Sequence, residues 1–101
     1  MSNHTFVTQQ TGQSLVINIG WDRPLQGHFM TIHKAGGARL YSNLDDKALK
    51  KTMGLSPNID PFISVLTKYS IRLPQALIDR VNSDRIEDIG NCECSYTDAD
   101  L

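Results

Sequence analysis

The feature that most restricts the fold is an alternation of side-chain type between Ser14 and Trp21. Every second position in this segment holds a large apolar residue: Leu15, Ile17, Ile19 and Trp21. Successive side chains of a β-strand point to opposite faces, so a period of two places all four on one face. The segment therefore predicts a strand with one buried face. Such a strand needs neighbouring strands to pair with, and a layer of other elements that covers its apolar face.

Two further segments supply the neighbouring strands. His28 to Lys34 has Met30 and Ile32 on one face, and Ala38 to Ser42 places Leu40 on that same face. The pair Gly36-Gly37 between them is a tight-turn signal, since both residues tolerate positive φ. Short connections favour antiparallel neighbours, so residues of about 14–42 are predicted to form a three-stranded antiparallel meander.

After residue 42 the apolar spacing becomes helical. A short helix is predicted up to Lys51, followed by helices over 61–70 and 74–85. Asp60-Pro61 is a favourable helix start, because Asp caps the first turn and Pro needs no amide donor there. Strands followed by helices indicate an α+β domain, with two to three short helices packed on one sheet face.

Composition and charge divide the chain into three parts. We expect an N-terminal arm or edge strand over 1–13, a single α+β domain over 14–89, and an acidic, mobile tail over 90–101. The first 85 residues carry ten basic and six acidic side chains, whereas the last sixteen carry five acidic side chains and no basic one. An uncompensated acidic terminus is typical of a solvated, frayed end.

The same composition bounds the class of protein. Apolar stretches are all far shorter than the roughly 20 residues of a membrane helix, and Met1 to Gln13 lacks the apolar core of a secretory signal. Only Cys92 and Cys94 are present, too few for a disulfide framework. We therefore expect a cytoplasmic protein that has no membrane partner.

Sequence motifs for catalysis are absent, so no catalytic residue, metal or cofactor is predicted. His28 and His33 lie five apart on a strand, hence on opposite faces, and are interpreted as surface histidines. Cys92 and Cys94 are interpreted as two free thiols without a role. A zinc ion completed by His4 or by a second chain, and redox chemistry with a partner thiol, remain as alternatives.

The outward face of the meander is the main candidate for function. If Met30, Ile32 and Leu40 face the helices, their neighbours must face away: Phe29, His33, Arg39 and Tyr41. Aromatic and Arg side chains are enriched where proteins bind proteins. The alternatives are an ordinary sheet face covered by the arm, and a surface on which nucleic-acid bases stack, although the chain lacks the basic stripe that nucleic acid favours.

A second patch lies in the loop after Trp21. Asp22 and Arg23 stand beside Pro24 and are predicted to contact a partner or to brace the loop, while Trp21 itself is in phase with the core. Together these patterns predict a small non-catalytic module that binds another protein in a regulatory or accessory role. A homodimer, a binder of single-stranded nucleic acid and a small enzyme of unrecognised chemistry are the alternatives.

Overall fold

Five strands and two α-helices make up the described part of the chain, residues 1–10 and 12–101 of a computed structural model. The strands are β1 (Ser2–Gln10), β2 (Gln13–Asp22), β3 (Gly27–Lys34), β4 (Arg39–Ser42) and β5 (Cys92–Thr97). The helices are α1 (Asp60–Lys68) and α2 (Gln75–Glu87), with short 3₁₀ segments at Asn43–Asp45, Lys47–Thr52 and Asp98–Asp100. The predicted α+β class is confirmed. No helix within the described ranges is both long and apolar enough to cross a membrane.

The sheet is larger than the predicted three-stranded meander, and it is mixed. Its strand order is β4-β3-β2-β1-β5. The pairs β1–β2, β2–β3 and β3–β4 are antiparallel, whereas β5 runs parallel to β1. The meander of residues 14–42 therefore accounts for three strands, and the two ends of the chain add the others.

Strand β1 lies inside the sheet, between β2 and β5. Residues 1–13 were expected to form an arm or an edge strand instead. Its inner face carries Phe6, which is fully buried, but also Ser2 and His4, which are buried as well. These polar residues hide the apolar periodicity that identifies a half-buried strand. Thr11, which falls within the predicted arm, lies outside the described residues.

The segment expected to be a mobile acidic tail contains the edge strand β5. Its ladder with β1 pairs Ser2 with Cys92 and Val7 with Thr97. Beyond the strand, Asp98 Oδ1 accepts a hydrogen bond of 2.6 Å from the Thr8 hydroxyl, and its other oxygen accepts one of 3.3 Å from the backbone amide of Gln9. Strands β1 and β5 belong to the same sheet but lie outside the range 14–89 that was predicted for the domain.

The core lies between one sheet face and the two helices. The alternation predicted the inner residues of β2 and β3 correctly, since all of these are buried: Leu15, Ile17, Ile19, Met30 and Ile32. Phe62 and Leu66 of α1 and Leu77 and Val81 of α2 cover them. Pro61 lies in the first turn of α1, as predicted, but the helix begins one residue early: Ile59 is the N-cap, and Asp60 lies within the first turn without capping it.

A bulge in the β3–β4 ladder changes the facing of β4. His33 pairs with Arg39, but the next ladder pair is Ile32 with Tyr41, so Leu40 is the extra residue. An extra residue reverses the alternation beyond it. Tyr41 therefore faces the helices with Ile32, opposite to the prediction, while Arg39 faces outward as predicted.

Candidate functional site

An apolar groove lies on the sheet face that α1 and α2 leave uncovered. Its volume is about 390 Å³. Phe29 and Thr31 of β3 form its floor, and Leu25 from the β2–β3 loop forms one wall. Leu44 and Met53, at either end of the 3₁₀ segments that follow β4, form the other wall. The groove is thus a concave surface lined mainly by large apolar side chains.

A buried asparagine joins the two ends of the second wall. Asn43 Nδ2 donates a 2.9 Å hydrogen bond to the carbonyl of Gly54, and its Oδ1 accepts from the Met30 amide at 3.4 Å. Gly54 has φ +83°, and a Cβ there would lie 2.7 Å from the Asn43 carbonyl oxygen, so only glycine permits this approach. The hydrogen bond and the close backbone contact between Asn43 and Gly54 bring Leu44 and Met53 to the same groove.

The structure brings three of the six predicted partner-binding residues into this groove. Phe29 lies on its floor, with Arg39 and Asp22 also in its lining. Asp22 Oδ1 accepts a 3.1 Å hydrogen bond from the Leu25 amide, which braces the loop that carries this wall. Arg39 lies 3.7 Å from Asp45, and both of these side chains are largely exposed, so the guanidinium remains accessible to a ligand.

Tyr41 and His33 are placed away from the groove lining. The Tyr41 hydroxyl donates a 2.6 Å hydrogen bond to Asp46 Oδ2 on the helix side of the bulge. Burial raises the pKa of Tyr41 well above its ordinary range, and the Asp46 carboxylate raises it further. His33 is half-buried and pairs with Arg39 across the β3–β4 ladder. Phe29 and Tyr41, which were expected to share the outward face, therefore lie on opposite faces of the sheet.

Arg23 belongs to a different cluster, at the C-terminal end of α2. Asp88 Oδ1 accepts hydrogen bonds from Trp21 Nε1 at 3.0 Å and from Gln26 Nε2 at 2.8 Å, while Arg23 Nε lies 3.5 Å from Oδ2. The bonds from Trp21 and Gln26 are the main reason that the pKa of Asp88 is lowered. Arg23 thus helps to brace the loop against α2. Trp21 is 4% exposed and closes the core, as predicted.

The histidines are more deeply placed than the sequence suggested. His28, expected at the surface, is fully buried, and its Nδ1 donates a 3.0 Å hydrogen bond to the Gly20 carbonyl. Burial lowers the pKa of His28. His4 is also fully buried, and its Nε2 lies 2.6 Å from Asp84 Oδ2 of α2. No group of three His, Cys, Asp or Glu residues within the described ranges is arranged to hold a metal ion.

The groove walls are what reasoning from the sequence missed. Leu44 lies in the segment predicted as a short helix up to Lys51, yet it is 74% exposed, and Met53 beyond that segment is 76% exposed. The sequence around Leu44 and around Met53 carries no signal that these residues will line one groove together with Leu25. The signal that exists is the pair Asn43 and Gly54, since a buried amide and a positive-φ glycine close the intervening segment.

Compared with protein-family models, with curated proteins and with solved structures, the chain matches none.

The groove offers large apolar surfaces together with one accessible guanidinium, that of Arg39. The carboxylate of Asp22 and the hydroxyl of Ser42 each accept a local backbone hydrogen bond. Such a lining is suited to holding a ligand by apolar contact and a charge pair.

Proposed function

We propose that this protein is a binding module whose groove holds a segment of another protein that carries large apolar side chains and at least one carboxylate. The observation that carries the proposal is the exposure of Leu44, Met53 and Leu25 around one concavity. Exposed apolar residues scattered singly need no explanation, whereas a contiguous apolar surface with a polar rim marks an interaction site. Each of these side chains would release water on contact with apolar groups of the partner.

The charges around the groove favour an acidic partner. Arg39 lies in the lining, and the segment between Leu44 and Met53 adds three exposed lysines, Lys47, Lys50 and Lys51. Asp45 and Asp46 lie on the same segment, but Asp46 accepts the Tyr41 hydrogen bond. Charge complementarity of this kind selects the partner and speeds encounter more than it adds affinity.

Binding of single-stranded nucleic acid has less support. Stacking of successive bases needs an aromatic platform, and the face that carries Phe29 does not carry Tyr41. An apolar protein segment makes better use of Leu25, Leu44 and Met53, which offer no flat surface for a base.

The proposal is tested by photo-crosslinking from the groove in cells of the native host. A benzophenone amino acid replaces Met53, and the matched control carries it at Ile86, which is 75% exposed on α2 and lies outside the groove lining. We expect one protein adduct from position 53 and none of that mass from position 86. Arg39→Glu and Leu44→Ser should each reduce the yield about tenfold or more, because removing a central, well-packed contact costs about 2 kcal/mol or more.

The identity of the adduct decides between the alternatives. The proposal is supported if the crosslinked peptide is apolar with acidic residues and if adduct formation depends on Arg39. An adduct with the mass of two copies of this chain, an adduct removed by nuclease, or equal labelling from positions 53 and 86 would each overturn it. Arg39 and Leu44 are both largely exposed. Arg39→Glu and Leu44→Ser should therefore keep a free energy of unfolding within about 0.5 kcal/mol of the wild type.

A further inference from the structure

The two cysteines of β5 lie side by side at the sheet edge opposite β4. Cys92 and Cys94 are two positions apart in one strand, so both side chains point to the same face, and both are half-buried. Their sulfur atoms are 3.9 Å apart. The two thiols are therefore already in contact, while Glu93 between them points away and is exposed.

A cation from α2 contacts one sulfur of the pair. Arg80 Nη2 lies 3.8 Å from Cys92 Sγ, and its Nε lies 3.5 Å from Oδ1 of the buried Asp84, four residues further along the helix. The contact with Cys92 is the main cause of a raised pKa of the Arg80 guanidinium. The Arg80 guanidinium thus lies between Asp84 and Cys92 and places a positive charge beside Cys92 Sγ.

The second thiol of the pair is in a different environment. Burial raises the pKa of the Cys94 thiol, and its hydrogen bond with Cys92 raises it further. The two sulfurs of the pair therefore differ in their surroundings: Cys92 Sγ lies beside the Arg80 guanidinium, whereas Cys94 Sγ contacts Cys92 Sγ. A stepwise exchange needs one sulfur to attack the disulfide and a second sulfur in contact with the first to resolve the intermediate.

We propose that Cys92 and Cys94 form a redox-active dithiol whose substrate is a disulfide of the cellular thiol pool. The Cys92 thiolate attacks one sulfur of the external disulfide, forming a mixed disulfide and releasing one thiolate. Cys94 then loses its proton and attacks Cys92 Sγ, which forms the internal disulfide and releases the second thiolate. The protein loses two electrons and two protons, and the substrate becomes two thiols.

The strand geometry permits this bond. Residues two apart in a strand have Cα atoms about 6.6 Å apart, near the upper end of the 4.4–6.8 Å range that disulfides span. Closing the bond brings the sulfurs from 3.9 Å to about 2.0 Å, so β5 must shorten locally.

The test uses the full reduced chain and glutathione disulfide as the probe. Samples taken over time at pH 7 are quenched in acid, alkylated and measured by intact mass. We expect the wild type to lose two hydrogen atoms and to regain them with dithiothreitol. Cys94→Ser should stop with one glutathione attached to Cys92, and Cys92→Ser should react at least about tenfold more slowly than Cys94→Ser, because it lacks the sulfur beside the cation.

Arg80→Met tests the role of the cation, with Arg85→Met on the same helix as the matched control. Removing the cation should slow the first step about tenfold in Arg80→Met and leave Arg85→Met at the wild-type rate. A wild type that ends as a mixed disulfide or as a linked dimer would overturn the proposal. So would equal rates in Arg80→Met and Arg85→Met, once Trp21 fluorescence shows that both variants are folded.

Discussion

Replacement of Asp84 by Ala should remove a large part of the stability of this domain. Asp84 and His4 are both fully buried, with 2.6 Å between Oδ2 and Nε2. Within the described residues His4 Nδ1 already lacks a hydrogen-bond partner, so Asp84→Ala leaves the whole imidazole unpaired. Breaking a buried pair from one side costs about 3–5 kcal/mol, against a total of about 5–15 kcal/mol for a domain of this kind.

Urea unfolding followed by the fluorescence of Trp21, the one tryptophan of the chain, measures this loss. With a slope of about 2 kcal/mol per molar urea, a loss of about 4 kcal/mol moves the midpoint down by about 2 M. Asp79→Ala, an exposed carboxylate on the same helix, is the matched control and should stay within about 0.5 kcal/mol.

A double variant separates the pairing from the packing. His4→Phe with Asp84→Leu removes both partners and fills the space with apolar groups, which is often neutral for a buried pair. We expect it to recover most of the stability that Asp84→Ala loses. If Asp84→Ala shifts the midpoint no more than Asp79→Ala does, the buried pair does not hold α2 on β1 and the reasoning is refuted.

Three further outcomes follow from the fold. Deletion of Asn91–Leu101 should lower the urea midpoint clearly, because it removes β5 from the side of β1; an unchanged midpoint would mean that the strand contributes nothing. The free energy of unfolding should fall as pH decreases below about 6.5, because burial lowers the pKa of His28 and the unfolded chain takes up the proton first; His28→Phe should flatten this slope by up to about 1.4 kcal/mol per pH unit, and an unaltered slope would contradict it. Gly20→Ala should destabilise by about 1–3 kcal/mol, since its Cβ would lie 2.0 Å from the Ser2 carbonyl oxygen; a wild-type melting temperature would show that β1 can move aside.

The sequence predicts the parts of this fold whose information is local. The alternation from Leu15 to Trp21 identifies a strand, and Asp60-Pro61 identifies a helix start, because each depends on neighbours within a few residues. Strand β5 could not be predicted in this way. Its inner-face residues are Cys92, Cys94 and Tyr96, and they become a strand through pairing with β1 at the far end of the chain.

The candidate site was predicted only in part, because the sequence predicts only those of its residues whose placement depends on near neighbours. Phe29 follows from the register of β3, which its own alternation specifies. Tyr41 was placed on the wrong face because one bulged residue, Leu40, reverses the alternation without a signal in composition. His4 likewise has polar neighbours, and only the fold brings it to Asp84, eighty positions away.

The pairing of β5 with β1 also sets the order in which the sheet assembles. Ser2 and Cys92 are ladder partners across ninety positions, for which the entropic cost of loop closure is about 4 kcal/mol, compared with about 2 kcal/mol for a loop of about ten residues. The hairpins of β2, β3 and β4 therefore close first, and β5 joins last. We expect the reverse order in fluctuations of the native protein, so that β5 detaches before β1 and β2 do and its backbone amides exchange faster than theirs. Each such opening uncovers Cys94 while the rest of the core stays closed.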